Sequence, residues 1–389
     1  MILRQLTVSK NLFNYILRFC AILSVFIFHV SLSKLASPEI YGDVVTQIAL
    51  SLILSVIFRF GLENIIVFDN FDNFRNKSEW SILSLSVISF VALYIVSPLN
   101  IHFLNISIDK SVVIGSTMLA TNLFAAQYFR RLGESEKMFI VCQIIPSILA
   151  TIAVFIFSKY GEPTIEIYLY LYFLSFFPSV FILIHKISLY SPYTGSKIKG
   201  GFFLSNYLNS LINVIWQNID IFLIGYFLDV TTAGVYFLSL KIANLAGLPL
   251  LIHNSRFVPL MSKAERYNNY MTLDKIKKMF YESLLVSLLI VVFSYINIFS
   301  LNINLYVIVF ILLSHIVANS IGPVGQFLIV KRKIVLSNHL MLIGLIVNAS
   351  LTILLVREIG VVGAGISTAL GYIAWRVFGR FYVDKVKNA

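Results

Sequence analysis

Charge is scarce in this chain. Asp, Glu, Lys and Arg make up 12% of its 389 residues, where soluble domains carry about 25%. A solvated globular surface is therefore excluded. Cysteine is nearly absent, and both copies, Cys20 and Cys142, fall within apolar runs, so no disulfide framework is expected. Carboxylates are few, 18 against 30 Lys and Arg. The net charge of +12 does not signal a nucleic-acid binder, because the cations gather at the ends of alternate apolar runs. Phosphate-cradling glycine loops, zinc-type His/Cys spacings and a dinucleotide fingerprint are missing. No connection is long enough for a folded soluble domain. We therefore expect no catalytic residue, no metal site and no resident cofactor.

What the chain has instead is hydrophobic length. Apolar side chains make up 58% of it, and the mean hydropathy is +0.87. Runs of about twenty apolar residues recur from end to end, each long enough to cross the roughly 30 Å hydrocarbon core as a helix. They lack the alternation of barrel strands. The predicted spans are 11–33, 41–68, 80–99, 111–130, 138–158, 165–186, 201–225, 232–258, 276–299, 303–329, 334–356 and 361–383. The first is long for a signal peptide and lacks a small-residue cleavage site, so it reads as a permanent helix. The fold class is an all-α integral membrane protein of about twelve transmembrane helices.

Lysine and arginine placement orients the spans. With the N-terminus cytoplasmic, 23 of the 30 cations, Arg376 and Arg380 among them, fall on the inner side. Four (Lys34, Lys110, Lys159 and Arg357) fall outside, and Arg18, Arg59 and Lys241 lie within spans. Both termini are then expected in the cytoplasm. A weak internal repeat aligns Gly42 with Gly234 and Gln127 with Gln326, offsets near half the chain. Two pseudo-symmetric six-helix bundles follow, 1–190 and 201–389, joined by a Gly-, Ser- and Lys-rich linker at 191–200. They are expected to be parallel repeats about an axis along the membrane normal.

A charge at mid-membrane costs about 2.5–3.5 kcal/mol on insertion scales and marks a functional interior by default. The candidates are Arg18, Arg59, Glu63, Asp220 and Lys241. Arg59 and Glu63 stand i, i+4, the spacing of an ion pair. Asp220 either partners Lys241 or binds a coupling cation. The seventh span also carries Asn206, Asn209, Asn213 and Gln217, which share one helix face with Asp220. Such a stripe is either interhelical glue or the wall of a wet cavity. His315, Asn319, Gly322–Pro323 and Gln326 form a similar row in the tenth span, with the Gly-Pro pair expected to bend the helix. His315 is either a hydrogen-bonded core histidine or a proton relay.

Two stretches carry a family resemblance. SKLASPEIYGDVVTQIALSLILSVIFRFGLENIIVF (33–68) resembles the first hairpin of bacterial polysaccharide flippases, with Pro38-Glu39-Ile40-Tyr41-Gly42 ahead of an apolar helix and Gly61-Leu62 near its end. QNIDIFLIGYFLDVTTAGVYFLSLKIANL (217–245), followed by RFVPLMSKA (256–264), is similar to that family's seventh and eighth helices. The resemblance implies a fold shared with multidrug and toxin exporters. It also implies a function, translocation of an undecaprenyl-pyrophosphate-linked O-antigen or capsule repeat unit across the bacterial cytoplasmic membrane by alternating access. Read so, Arg18, Arg59 and Lys241 would attract the pyrophosphate, and Asn206, Asn209, Asn213 and Gln217 would line the sugar path. Glu63, Asp220 and His315 would serve ion coupling, to protons or sodium, or structural pairing. Expected partners are the lipid-linked oligosaccharide, membrane lipids and other polysaccharide-assembly proteins, with no nucleic acid. A cation-coupled exporter of small drugs on the same fold is the alternative. A polytopic glycan polymerase is a weaker one, since the outer loops are short.

Overall fold

A computed structural model of the chain describes residues 2–59, 102–103, 106–107, 110–131, 134–161, 163–188, 200–250, 271–296 and 301–385, with Val91, His253 and Asn269 singly. The predicted span 80–99, apart from Val91, and the candidate Glu63 lie outside the described residues. Apart from one two-stranded hairpin, the described elements are helical. Among the described residues ten helices are long and apolar enough to cross a membrane, and counting one bent pair as a single span gives eleven.

The chain divides into two compact units, Met1–Val214 and Ile215–Ala389. In the first lie α1 (Ile2–Leu35), α2 (Pro38–Arg59), a short antiparallel hairpin pairing His102 with Ser107, α3 (Lys110–Arg131) and α4 (Ser135–Phe139). The chain continues through a π-turn, Ile140–Ile144, into α5 (Ile145–Ser158), then α6 (Ile165–Leu174) and α7 (Phe177–Ser188). The π-turn has a cause in the sequence. Pro146 has no N–H to offer the carbonyl of Cys142 four residues back, and the Asn122 amide of α3 donates to that carbonyl at 3.1 Å instead.

The division falls within α8 (Gly200–Phe227). Beyond it come α9 (Val230–Asn244), a 3-10 turn at Leu245–Gly247, and α10 (Leu273–Ile296). The last four helices are α11 (Leu305–Ile321), α12 (Val324–Val330), α13 (Ile334–Ile359) and α14 (Val361–Lys385). Two of the helix starts are set by short polar caps. Asp229 accepts from the Thr232 amide at 2.7 Å, and Asn304 accepts from the Val307 amide at 3.2 Å. The expected bend at Gly322–Pro323 is present: α11 and α12 meet at 47°. Gly322 sits at φ 90, ψ −170, a conformation open to glycine and almost nothing else.

Apolar side chains cover both inside and outside. On α10, Leu285, Leu288, Val292 and Phe293 are all more than half exposed. A face of that extent would aggregate in water and is normal against lipid tails. Inside the second unit, glycines bring helices close. A Cβ on Gly371 of α14 would lie 2.8 Å from the Gly344 carbonyl oxygen of α13 and 2.9 Å from Asn348 Cβ. A Cβ on Gly344 would collide with the Trp216 ring of α8. Small residues at these points let three backbones converge, as is common where membrane helices pack.

Candidate functional site

That convergence places a carboxylate. Trp216 and Asp220 are one turn apart on α8, and Gly344, Asn348 and Thr352 form a matching row on α13. With Trp216 seated against Gly344, Asp220 meets the two residues that follow in the row. Asp220 is 4% exposed. Its Oδ1 accepts from Thr352 Oγ1 at 3.1 Å. Its Oδ2 is contacted by Asn348 Nδ2 at 3.2 Å, Tyr236 OH at 3.0 Å and Thr368 Oγ1 at 2.7 Å. Donors from α9, α13 and α14 thus surround an acid carried by α8. None of them is charged.

Counting hydrogens shows what this cluster is short of. Tyr236 OH and Thr368 Oγ1 are themselves 2.7 Å apart, so these two hydroxyls and Asp220 Oδ2 form a triangle of oxygens at contact distance. Thr368 Oγ1 also lies 2.9 Å from the Ala364 carbonyl. Each hydroxyl carries one hydrogen, so the four close oxygen–oxygen contacts share two of them when the carboxylate is ionised. A proton on Asp220 halves the deficit, and a small cation among the oxygens removes the need for the missing hydrogens. With Thr352 Oγ1 and Asn348 Oδ1, which are 3.3 Å apart, the oxygens supply the hard donor set that suits such ions. Among the described residues no three His, Cys, Asp or Glu converge.

A second polar group lies further along α14, where Thr368, Tyr372 and Arg376 form one row at i, i+4, i+8. Arg376 is 6% exposed. Its Nη1 donates to the Gly322 carbonyl at the helix break, 3.1 Å away, and its Nη2 donates to Tyr372 OH at 2.9 Å. The guanidinium stacks over Trp375 at 4.3 Å. The Tyr372 ring meets His315 edge-on at 5.4 Å, and His315 Nε2 lies 3.0 Å from Asn244 Oδ1. Asn244 is one turn beyond Lys241 on α9. Lys241 is half-buried, with Nζ 4.6 Å above the Phe237 ring.

The sequence-derived candidates divide accordingly. Lys241 and Asp220 do not form the ion pair considered for them: the carboxylate is surrounded by uncharged groups of α9, α13 and α14, and the lysine rests on an aromatic face. The partner of His315 is an amide rather than an acid. Of the stripe on α8, Asn206 and Asn209 are buried in the first unit, whereas Asn213 and Gln217 are exposed. Arg18 is half-buried on α1, about 6.0 Å from the Phe139 ring centroid. Arg59, 6% exposed, donates from Nε to the Ser55 carbonyl at 3.2 Å. Sequence reasoning missed Tyr236, Asn348, Thr352, Thr368 and Tyr372, and it took Arg376 for a charge at the inner membrane edge. The one signal available was spacing: Asn348 and Thr352 stand at i, i+4, as do Thr368, Tyr372 and Arg376.

No protein-family model matches the chain, and no curated protein matches it at a significant level. Solved structures do. An outward-facing multidrug resistance MATE-family transporter of the MOP superfamily matches at TM-score 0.63 and 16% identity, covering 97% of this chain and 96% of its own. A point mutant of the Vibrio cholerae MATE transporter VcmN matches at TM-score 0.60 and 14% identity, covering 98% and 97%. A MOP-superfamily transporter from Pyrococcus furiosus, described as having a binding pocket of reversed polarity that suggests a different function, matches at TM-score 0.62 and 16% identity, covering 98% and 95%. Identity this low with coverage this complete speaks to architecture: the chain is an all-helical membrane protein with the fold of the MATE transporters of the MOP superfamily.

Proposed function

We propose that this protein is a cation-coupled membrane transporter, that the Asp220 cluster takes the coupling proton or sodium ion, and that the cargo is an anionic lipid-linked oligosaccharide. The coupling part is carried by one observation, a buried carboxylate ringed by oxygens whose hydroxyl hydrogens are too few for their contacts. An intramembrane carboxylate without a cationic partner is expensive unless an ion or proton visits it. Movement of one charge across 100 mV supplies about 2.3 kcal/mol, enough to bias a transport cycle.

The polarity of the groups at Lys241 supports the cargo part. Lys241, Asn244, His315 and Tyr372 are at least partly exposed on the second unit, and Arg376 lies behind them. These cations and amides suit a phosphate-bearing sugar lipid, in line with the flippase resemblance of residues 33–68 and 217–264. Alternating access would carry the headgroup across the cytoplasmic membrane while the polyprenyl tail stays in lipid. The second reading, export of small drugs, is favoured by the fold neighbours, several of which are multidrug transporters.

Cells carrying Lys241→Ala separate the two. The flippase reading expects lipid-linked repeat units to accumulate and surface polysaccharide to fall at normal protein level. Unchanged polysaccharide together with measurable efflux of cationic dyes in the wild type would favour drug export.

A further inference from the structure

Among the described residues no counter-charge meets Arg376, whose guanidinium bonds only a carbonyl and a phenol. A guanidinium is a planar fork of N–H donors that stays protonated in proteins. Here Nη1 is fixed to the Gly322 carbonyl at 3.1 Å and Nη2 to the Tyr372 phenol at 2.9 Å. Nε is buried with no acceptor. Among the described residues no carboxylate pairs with Arg376. The side chain is held inside the unit, with Arg376 only 6% exposed. α14 continues to Lys385, about 13 Å further at 1.5 Å per residue, and the Trp375 and Tyr372 rings flank the guanidinium.

The two edges of the fork therefore differ. One end is tied to the backbone at the α11–α12 break. The Nε–Nη2 edge, which matches a carboxylate or phosphate side-on, holds only a neutral phenol on a rotatable side chain. Charge-assisted hydrogen bonds are roughly twice as strong as neutral ones, so an oxyanion outcompetes the phenol there. On the same unit the Tyr372 ring meets His315 and His315 meets Asn244, which is one turn beyond Lys241, and all four residues are at least partly exposed.

We propose that the Nε–Nη2 edge of Arg376 is a binding site for a phosphate or diphosphate oxyanion, with Tyr372 as the placeholder that the anion displaces. The inference deepens the cargo reading above and rests on it for the source of the anion. Binding at this edge leaves the Nη1 bond to Gly322 in place, so the helix break and the anion share one side chain.

Calorimetric titration of the detergent-purified full chain tests the site with inorganic pyrophosphate, a short isoprenyl diphosphate, and phosphatidylglycerol in mixed micelles. Arg376→Lys keeps the charge but loses the fork, and diphosphate binding should weaken by about tenfold or more. Tyr372→Phe removes the competing phenol and should tighten binding by several-fold. Neither variant should shift the cation-dependent stability of the Asp220 cluster, which guards against a merely misfolded protein. Isoprenyl diphosphate binding much more tightly than phosphatidylglycerol assigns the anion to cargo. Equal binding of both keeps the site and assigns it to bulk lipid, against the cargo reading. Diphosphate binding unaltered in both variants overturns the site while leaving the cargo reading intact. Absence of binding by the wild type overturns the site as well, and the transport phenotype of Lys241→Ala then decides the cargo reading alone.

Discussion

Thr368→Val is the most discriminating single change at the Asp220 cluster. Valine keeps the branched shape of threonine, so packing between α13 and α14 is preserved while one hydroxyl is lost. That hydroxyl is 2.7 Å from Asp220 Oδ2 and 2.7 Å from Tyr236 OH, and it is one of the oxygens proposed to hold the ion. A hydrogen bond or ligand to a charged group contributes about 1.5–3 kcal/mol. Its loss should weaken the ion's affinity by roughly tenfold to a hundredfold or somewhat more. Thermal unfolding of the purified protein across a sodium series at constant ionic strength, and separately across pH, reads this directly. A bound ion stabilises by about 2.7 kcal/mol when present at 100 times its dissociation constant. The midpoint of the stabilisation curve should move to higher ion concentration in Thr368→Val and stay near wild type in Thr368→Ser. A midpoint unmoved in Thr368→Val, with the wild type clearly stabilised, would refute the assignment of Thr368 as a ligand.

Other consequences are as specific. Gly371→Ala sets a methyl against the Gly344 carbonyl and Asn348 Cβ. It should destabilise the protein by about 1–3 kcal/mol and blunt its response to cation, both seen in the same melts. Gly322→Ala places a side chain at φ 90. It should cost about 1–3 kcal/mol, measured as a lowered melting temperature that a Gly225→Ala control, whose methyl meets nothing within 4 Å, does not reproduce. Asp229→Ala removes the cap of α9 and should cost about 1 kcal/mol, with transport retained. For topology, a reporter fused at Ile198 should read cytoplasmic and one at Lys110 periplasmic. The opposite pair would invert the orientation.

Much of the architecture was legible because lipid imposes length and polarity on every span. The Gly322–Pro323 bend could be read because proline removes a donor wherever it stands. Asp220 was visible as a lone acid in an apolar run, but its partners were not. Tyr236, Asn348, Thr352 and Thr368 are ordinary residues of membrane helices, and only the close approach allowed by Gly344 and Gly371 gathers them. Spacing put the α8 stripe on one face but not its burial: Asn206, Asn209 and Asp220 are buried while Asn213 and Gln217 between them are exposed. Arg376 was read only as one of the inner-side cations near the end of an apolar run, because its bond to the Gly322 carbonyl depends on a contact between α14 and the α11–α12 break that spacing does not reveal.

The pairing of ion coupling with an anionic glycolipid cargo is tested most directly in proteoliposomes. Purified protein is reconstituted with a lipid-linked diphosphate oligosaccharide, and lectin access to the sugar is followed under an imposed sodium or proton gradient. Wild-type protein should expose the sugar on the opposite leaflet only when the gradient is present, and Asp220→Asn should not respond to it. Sugar movement in Asp220→Asn that follows the gradient as in the wild type would contradict the account, as would gradient-driven dye transport with no sugar movement.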